Sequence, residues 1–180
     1  MPELEAGLEE IRRAPSDEGV VHLIVRRPRS REREVVVEGQ LDVERGLVGD
    51  NWSTRSSSMT FDGSPHAEMQ INIMNARVTA LVAQHPDRWP LAGDQLYIDM
   101  DLSAANLPPG TRLVLGSAIV EVTEPPHTGC GQFVARFGVD AMKFVNSPVG
   151  RSLNLRGINA RVVQSGVVRV GDVARKLSSG

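Results

Sequence analysis

Apolar and polar positions alternate along this chain in short blocks, which predict many short strands. Residues 20–27 are rich in β-branched side chains, and residues 35–37 form the next strand candidate. Residues 95–101 place an apolar side chain at every second position, with Tyr97 on the intervening, polar side. The same reading predicts further strands at 69–74, 112–115, 118–123, 159–163, 167–170 and from 173 onward.

Helical spacing occurs in fewer places. Residues 1–19 carry three aliphatic side chains on one helical face but are highly charged, so they predict a weak helix or a tail. Asn75 is expected to cap a helix over residues 76–84. Residues 131–145 place aromatic and aliphatic side chains on one helical side. Residues 53–68 lack periodicity and predict a long loop, and loops of this length are often functional.

Many short strands with glycine turns favour one architecture. We expect a mostly β fold with a few short helices, a closed or nearly closed β-barrel rather than a parallel α/β sheet. Closure also removes exposed strand edges. No repeat or linker divides the chain, so we predict one domain over residues 20–176, between the segment 1–19 and a tail at 177–180.

The composition excludes several classes of function. With 180 residues, 41% of them apolar, the chain suits one soluble globular core. A net charge of −2 argues against a nucleic-acid partner held by phosphate neutralisation. No apolar run is long enough to span a membrane and the acidic N-terminus is unlike a signal peptide, so we expect a cytoplasmic protein with no membrane partner. Of the basic residues, only Lys143 and Lys176 are not arginine.

The one cysteine, Cys130, lies in an unusual setting for a structural thiol. Core cysteines normally have apolar neighbours, but here a proline pair precedes the thiol and glycines flank it. The helical spacing that follows places Cys130 at or near the N-terminus of a short helix, where partial positive charge favours the thiolate. A thiolate is a nucleophile and a soft metal ligand. A single cysteine excludes an internal disulfide and any multi-cysteine metal site.

His127 lies three residues before the thiol and is the candidate for tuning it. As an imidazolium it would hold the thiolate by charge, and as a neutral base it would take the thiol proton. The alternative is a loop histidine with an ordinary structural hydrogen bond. We therefore assign Cys130 and His127 as candidate catalytic residues, with Cys130 also the candidate metal ligand.

Forked guanidinium groups suit the binding of an anion. Four side chains are candidates for holding an anionic cofactor: Arg136, Arg151, Arg156 and Asn159. Arg151 and Arg156 lie in loop-like sequence, where ligand contacts are frequent. Each arginine on its own is more often a solvated surface charge, and turn or capping roles explain the asparagine as well. Asp50 and Asp94 each follow a glycine and are interpreted as mainly structural turn residues.

Four segments, in this order, resemble the MOSC domain family, named for the C-terminal domain of molybdenum cofactor sulfurases. They are Gly-Leu-Val-Gly-Asp at 46–50, Leu-Ala-Gly-Asp-Gln-Leu at 91–96, the cysteine run at 121–137, and 155–163 leading to Val-Arg-Val-Gly-Asp at 168–172. The resemblance extends over residues 20–173 and lies in the order of these segments rather than in any single motif.

The resemblance implies a barrel-like fold and a cysteine, here Cys130, that either ligates molybdenum in a pterin cofactor or carries sulfur as a persulfide. It implies sulfur transfer, or the reduction of N-hydroxylated compounds, with an electron-transfer or sulfur-donor protein as partner. The chain lacks the desulfurase domain of the sulfurases, so pyridoxal phosphate is not expected. The alternatives are a non-catalytic binding or carrier module for a small anionic ligand or a protein, and a reactive thiol that traps electrophiles.

Overall fold

The computed structural model describes residues 1–177, in which short strands dominate. Numbered in chain order, the strands are β1 (Glu18–Arg26), β2 (Glu34–Val36), β3 (Glu38–Asp42), β4 (Gly46–Leu47), β5 (Ile71–Asn75), β6 (Leu96–Asp99), β7 (Arg112–Leu115), β8 (Ala118–Val122), β9 (Ile158–Gln164), β10 (Gly166–Arg169) and β11 (Val173–Lys176). The α-helices are α1 (Pro2–Ala6), α2 (Leu8–Arg12), α3 (Ala76–Ala83), α4 (Gly131–Asn146) and α5 (Pro148–Ser152). Short 3-10 helices cover Trp52–Thr54, Ala67–Met69 and Pro86–Ala92.

Seven of the strands close into a mixed barrel. Their order is β11-β7-β8-β9-β5-β6-β1, and pairing of β11 with β1 completes the ring. Only the β5–β6 pair within this ring is parallel. Strand β2 extends the sheet beyond β1, and β10, β3 and β4 form a separate three-stranded sheet. The predicted closed barrel with a few short helices is therefore confirmed.

Two apolar clusters lie on opposite sides of the barrel wall. The first fills the barrel and includes Ile24, Ile73 and Ile98. The second lies between the wall and the helices, where Tyr97 packs with Phe133 and its neighbours. Strand β6 is thus buried on both faces, because α3 and α4 cover its outer side. The prediction that Tyr97 lies on a polar face is wrong for this reason.

The ends of the domain are close to the predicted ones. The N-terminal stretch forms two short helices, and Ile11 on α2 is buried in the outer cluster. Strand β1 begins at Glu18 and β11 ends at Lys176. The predicted tail at 177–180 lies, from residue 178 on, outside the described residues. The division into domains stays a prediction.

Two helix predictions are confirmed in their essentials. Asn75 caps α3, because its Oδ1 accepts hydrogen bonds from the backbone N–H groups of Arg77 (2.7 Å) and Val78 (3.2 Å). Helix α4 covers the predicted segment but breaks at Gly138, where φ is 87°. Such a backbone conformation suits glycine, and the sequence pattern did not reveal it. None of the helices in the described chain has the length and apolar character needed to cross a bilayer.

Gly157 lies in the turn before β9 and packs closely against β5. A substitution there measures how much space this turn has. Gly157 has a φ of 106°, and a methyl group there would collide with the backbone oxygen of Ile73 and lie 3.4 Å from His127 Cδ2. We expect Gly157→Ala to lose roughly 1–2 kcal/mol from backbone strain and a further 1–3 kcal/mol from overpacking. Gly171, with a φ of 94° and no described atom within 4 Å of such a methyl, is the matched control.

Urea unfolding of the two variants measures how much unfolding free energy each substitution costs. Gly171→Ala is expected to show the strain component alone. Equal losses of unfolding free energy in the two variants would contradict the close packing of Gly157 against β5.

Candidate functional site

A cleft with a volume of about 560 Å³ lies beside the barrel. Most of its lining comes from the connection between β1 and β2, the loop that follows β4, and the segment from His127 into the first turns of α4. Asn72 on β5, the residues just before β6 and Arg156 before β9 complete it. Seven of the lining residues are arginines: Arg27, Arg29, Arg31, Arg33, Arg55, Arg136 and Arg156. None of the described residues that line it is Asp or Glu. The wall is therefore strongly cationic, although the chain as a whole has a net charge of −2.

A buried ion pair fixes the first arginine of this wall. Arg27 follows β1 directly and is only 7% exposed. Its Nε and Nη2 atoms donate to the two carboxylate oxygens of Asp50, each at 2.9 Å. Its Nη1 donates to Asn72 Oδ1 (3.1 Å) and to the backbone oxygen of Gly93 (2.9 Å). Such a bidentate pair sets the plane of the guanidinium group.

A second buried carboxylate, Asp94, holds another arginine of the wall. Arg156 Nη1 donates to Asp94 Oδ2 at 2.7 Å, and His127 Nε2 lies 3.0 Å from Asp94 Oδ1. Burial by itself raises the pKa of Asp94, but the charges of Arg156 and His127 and their hydrogen bonds outweigh it and lower that pKa below its ordinary value. Asp94 is therefore a carboxylate that joins two residues of the cleft.

The same contacts determine the protonation state of the His127 imidazole. Burial and the charge of Arg156 lower its pKa, against the opposing effect of Asp94, so the neutral imidazole is favoured. With Nε2–H donating to the Asp94 carboxylate, Nδ1 is the acceptor nitrogen. Of the two roles considered from the sequence, the geometry favours the neutral base over the imidazolium. The tuning of the thiol by His127 stays a prediction.

Cys130 lies where the sequence placed it. It is exposed, occupies the N-cap position of α4 and lines the cleft. The residue before it is fixed by Asn146, which accepts a hydrogen bond from the N–H of Gly129 (2.9 Å) and donates to its oxygen (3.2 Å). These two bonds anchor the cysteine segment to the far end of α4.

The structure brings together four of the six predicted site residues. Cys130, His127, Arg136 and Arg156 all line the cleft. Arg151 does not: it lies on α5 rather than in a loop, is exposed, and its Nε donates to the oxygen of Asn146.

Asn159 lies behind the wall of the cleft rather than in it. It is buried, and its Oδ1 accepts a hydrogen bond from Asn72 Nδ2 at 2.6 Å. Asn72 in turn contacts Arg27. The structure therefore places Asn159 as a support for Arg27 rather than as a direct contact for a ligand.

Sequence reasoning missed most of the cationic wall. Residues 26–33 read Arg-Arg-Pro-Arg-Ser-Arg-Glu-Arg, and this density of arginine was the available signal. Asp50 and Asp94 are structural, as expected, but what they hold in place is the arginines of the cleft. Within residues 1–177 no group of three or more His, Cys, Asp or Glu side chains is arranged to hold a metal ion.

Removal of the Asp94 charge tests the buried pair. Asp94→Asn leaves the Arg156 guanidinium buried without a counter-charge, and we expect a loss of about 3–5 kcal/mol in unfolding free energy. Glu38→Gln, which breaks an exposed pair with Arg169, is the matched control and should cost at most about 1 kcal/mol. Similar losses in both variants, measured by urea unfolding, would contradict the account.

The neutral state of His127 predicts a pH dependence of stability. Its pKa is lower in the folded chain than in the unfolded chain, where it is about 6.5. As the pH falls below that value the unfolded chain takes up a proton that the folded chain does not, so stability decreases. We expect the wild type to lose more unfolding free energy than His127→Gln between pH 7 and pH 5.5. Parallel pH profiles would mean that the folded and unfolded chains bind this proton equally well, and would contradict the lowered pKa of His127.

The fold is similar to that of several solved structures. YuaD from Bacillus subtilis gives a TM-score of 0.63 at 19% identity, covering 91% of this chain and 97% of that one. YiiM from Escherichia coli gives 0.57 at 18% identity, covering 89% and 71% respectively. No protein-family model matches the chain, and no curated protein matches its sequence. Likenesses at this identity show the fold alone. They support the barrel fold, and the family, the ligand and the reaction are matters for proposal.

Proposed function

We propose that the cleft binds an anionic pterin cofactor that carries molybdenum, with Cys130 as the protein ligand to the metal. One observation carries the proposal: an exposed thiol shares a cleft with seven arginines, and no described acidic residue lines that cleft. A thiolate suits a soft metal centre, and guanidinium groups suit phosphate. Cys130 supplies the thiolate, and the arginines of the cleft supply the guanidinium groups.

Unpartnered polar atoms support the fit. Arg156 Nε, Arg33 Nε and Asn51 Oδ1 are buried without a hydrogen-bond partner in the described chain, and all three residues line the cleft. A buried donor or acceptor without a partner costs free energy that a bound ligand recovers. Two donors and one acceptor are thus available for polar groups of a ligand.

The residues of the chain then have distinct tasks. Arg27 and Arg156, fixed by their carboxylates, supply a preorganised positive field. Arg33 and Arg136 hold the anionic group. His127 Nδ1 takes the proton that Cys130 must lose to become a ligand. The exposed side of the cleft admits the substrate and a partner protein.

When bound, such a cofactor supplies two-electron redox chemistry at molybdenum. Conversion of an N-hydroxylated amine to the amine and water consumes two electrons and two protons. The electrons come from an electron-transfer protein acting as reductant, and the protons come from solvent.

Sulfur carriage is the second candidate, and the space around the thiol favours it. A side chain at Gly131 would meet no described atom within 4 Å, so a donor can approach the cysteine. The Cys130 thiolate would attack the outer sulfur of a donor persulfide, form a new S–S bond and release the donor as a thiol. The product is a persulfide on Cys130.

Metal and pterin content after expression in a host that makes the cofactor tests the proposal. We expect the purified wild type to retain molybdenum and pterin together, and Cys130→Ala to lose most of the molybdenum. Arg169→Ala, an exposed arginine outside the cleft, is the control and should retain both.

Mass spectrometry of the same wild-type preparation distinguishes the second candidate. A persulfide on Cys130 without molybdenum supports sulfur carriage. Absence of molybdenum, pterin and persulfide would contradict both functions and leave a binding module for another anion.

A further inference from the structure

Helix α4 folds back on itself at Gly138. A straight α-helix of its 16 residues would be roughly 24 Å long. Its last residue, Asn146, nevertheless contacts the residue before Cys130: Asn146 Oδ1 accepts from the N–H of Gly129 at 2.9 Å, and Nδ2 donates to the Gly129 oxygen at 3.2 Å. The non-helical backbone of Gly138, with a φ of 87° and a ψ of 168°, makes this return possible. The first half of α4 (131–137) and the second half (139–146) therefore form a hairpin that the Asn146 amide closes.

The two halves differ in how firmly they are packed. The second half buries three apolar side chains in the outer cluster. The first half buries only Phe133, and Gln132 and Arg136 line the cleft beside it. The half that borders the cleft is thus held in place by the half that does not.

The contact that closes the hairpin is a close fit. A methyl group on Gly129 would lie 3.2 Å from Val145 Cγ2 and 3.3 Å from Asn146 Nδ2. The missing side chain at position 129 lets the two ends of α4 approach. An asparagine amide offers a donor and an acceptor together, so it satisfies both backbone groups of a single residue.

Cys130 lies between two fixed neighbours. Asn146 holds Gly129 on one side. On the other side Phe133 is 2% exposed, and its ring centroid lies 5.0 Å from the guanidinium carbon of Arg156. The Cys130 side chain itself makes no capping hydrogen bond. The backbone on either side therefore sets the position of the sulfur atom, which keeps its bonding capacity for a ligand.

The position of the sulfur matters because the charge of the cleft is unevenly balanced. Four of the seven cleft arginines have no ion-pair partner among residues 1–177: Arg31, Arg33, Arg55 and Arg136. A methyl group on Gly93 would lie 3.4 Å from Arg136 Nη1 and 3.5 Å from Arg33 Nη2, so these two groups border one space. Because Arg136 and Cys130 belong to the same short segment, a shift of that segment moves the thiol relative to the other arginines.

We infer that Asn146 is a positioning residue for Cys130, and that its amide holds the thiol inside the positive field of the cleft. The inference rests on the proposed function, in which Cys130 is the working group, and adds the residue that sets where this group lies. Without the amide, the start of α4 is free to move away from the end of the helix. The thiol then leaves the field that favours an anionic ligand.

Two alkylating agents of similar size and different charge test the inference. In both reactions the Cys130 thiolate forms an S–C bond and displaces iodide, but iodoacetate carries a negative charge and iodoacetamide does not. Both consume the same thiolate, so the ratio of their rate constants at one pH reports the electrostatic potential at the sulfur rather than the thiolate fraction. Cys130 is the one cysteine of the chain, which makes the site of reaction unambiguous.

The full chain is produced in a host that does not make the cofactor. We expect the ratio of the iodoacetate to the iodoacetamide rate constant to be at least about fivefold higher in the folded wild type than in the same chain unfolded in urea. Added salt should reduce this difference, because salt screens the field of exposed charges.

Two variants open the hairpin from opposite sides. Asn146→Ala removes the amide, and Gly129→Ala forces the two ends apart, so each should lower the ratio at least about threefold. The double variant should match Asn146→Ala alone, because both changes remove one contact. If Asn146→Ala fails to fold, Gly129→Ala still tests the contact with every charge unchanged.

Asn106→Ala is the matched control. The Asn106 amide also holds backbone groups, the oxygens of Ser16 and Asp101, but it does not line the cleft. This variant should lose stability and keep the wild-type ratio, which separates positioning from a merely structural role.

A wild-type ratio in both Asn146→Ala and Gly129→Ala, or an equal fall in Asn106→Ala, would overturn the inference. So would a folded wild type whose ratio equals that of the unfolded chain. The measurement needs no cofactor, so missing molybdenum and pterin would contradict the proposed function while leaving the ratios unchanged. The two failures are therefore distinguishable.

Discussion

The rest of the site depends on one buried contact, the carboxylate of Asp94 between Arg156 and His127. A charged pair removed from water loses solvation, and the loss is tolerable only where hydrogen bonds are well formed. Here both oxygens of Asp94 are engaged, and Arg156 also donates to the oxygen of Ala92 at 3.0 Å. One carboxylate therefore fixes a cation and holds a histidine by its Nε2, and both of these residues line the cleft. Burial and the charge of Arg156, rather than Asp94, lower the pKa of His127 and favour its neutral form. Asp50 likewise fixes the guanidinium group of Arg27.

The barrel explains how residues distant in sequence meet at this place. Strand β1 delivers Arg27, the turn before β6 delivers Asp94, and the turn before β9 delivers Arg156. The positive φ of Gly157 lets the chain enter β9 against the backbone of β5, directly after Arg156. The other elements of the cleft are loops and the first turns of α4. The fixed charges lie on the rigid wall, and the unbalanced ones lie where a ligand can reach them.

The barrel could be predicted from the sequence because period-two blocks and glycine turns are local signals. The exposed position of Cys130 followed in the same way, from the glycines beside it and the helix after it. The pairing of Asp94 with Arg156 could not be predicted, because nothing local connects residues 62 positions apart. The loop interpretation of the segment around Arg151 was wrong because Ser147, which caps α5 by accepting a hydrogen bond from the N–H of Gly150, makes a helix of loop-like residues. Tyr97 was misjudged because the helices that cover β6 are a tertiary feature.

The central claim is that buried carboxylates fix two arginines of the cleft, and that the arginines without an ion-pair partner bind an anion. Diffraction from crystals soaked in tungstate, an oxyanion with strong anomalous scattering, tests this claim most directly. The account predicts that the strongest anomalous peak lies in the cleft between Arg33 and Arg136, beside Gly93, with the Asp94 contacts to Arg156 and His127 unchanged. Strong peaks at surface arginines such as Arg169, with none in the cleft, would contradict it.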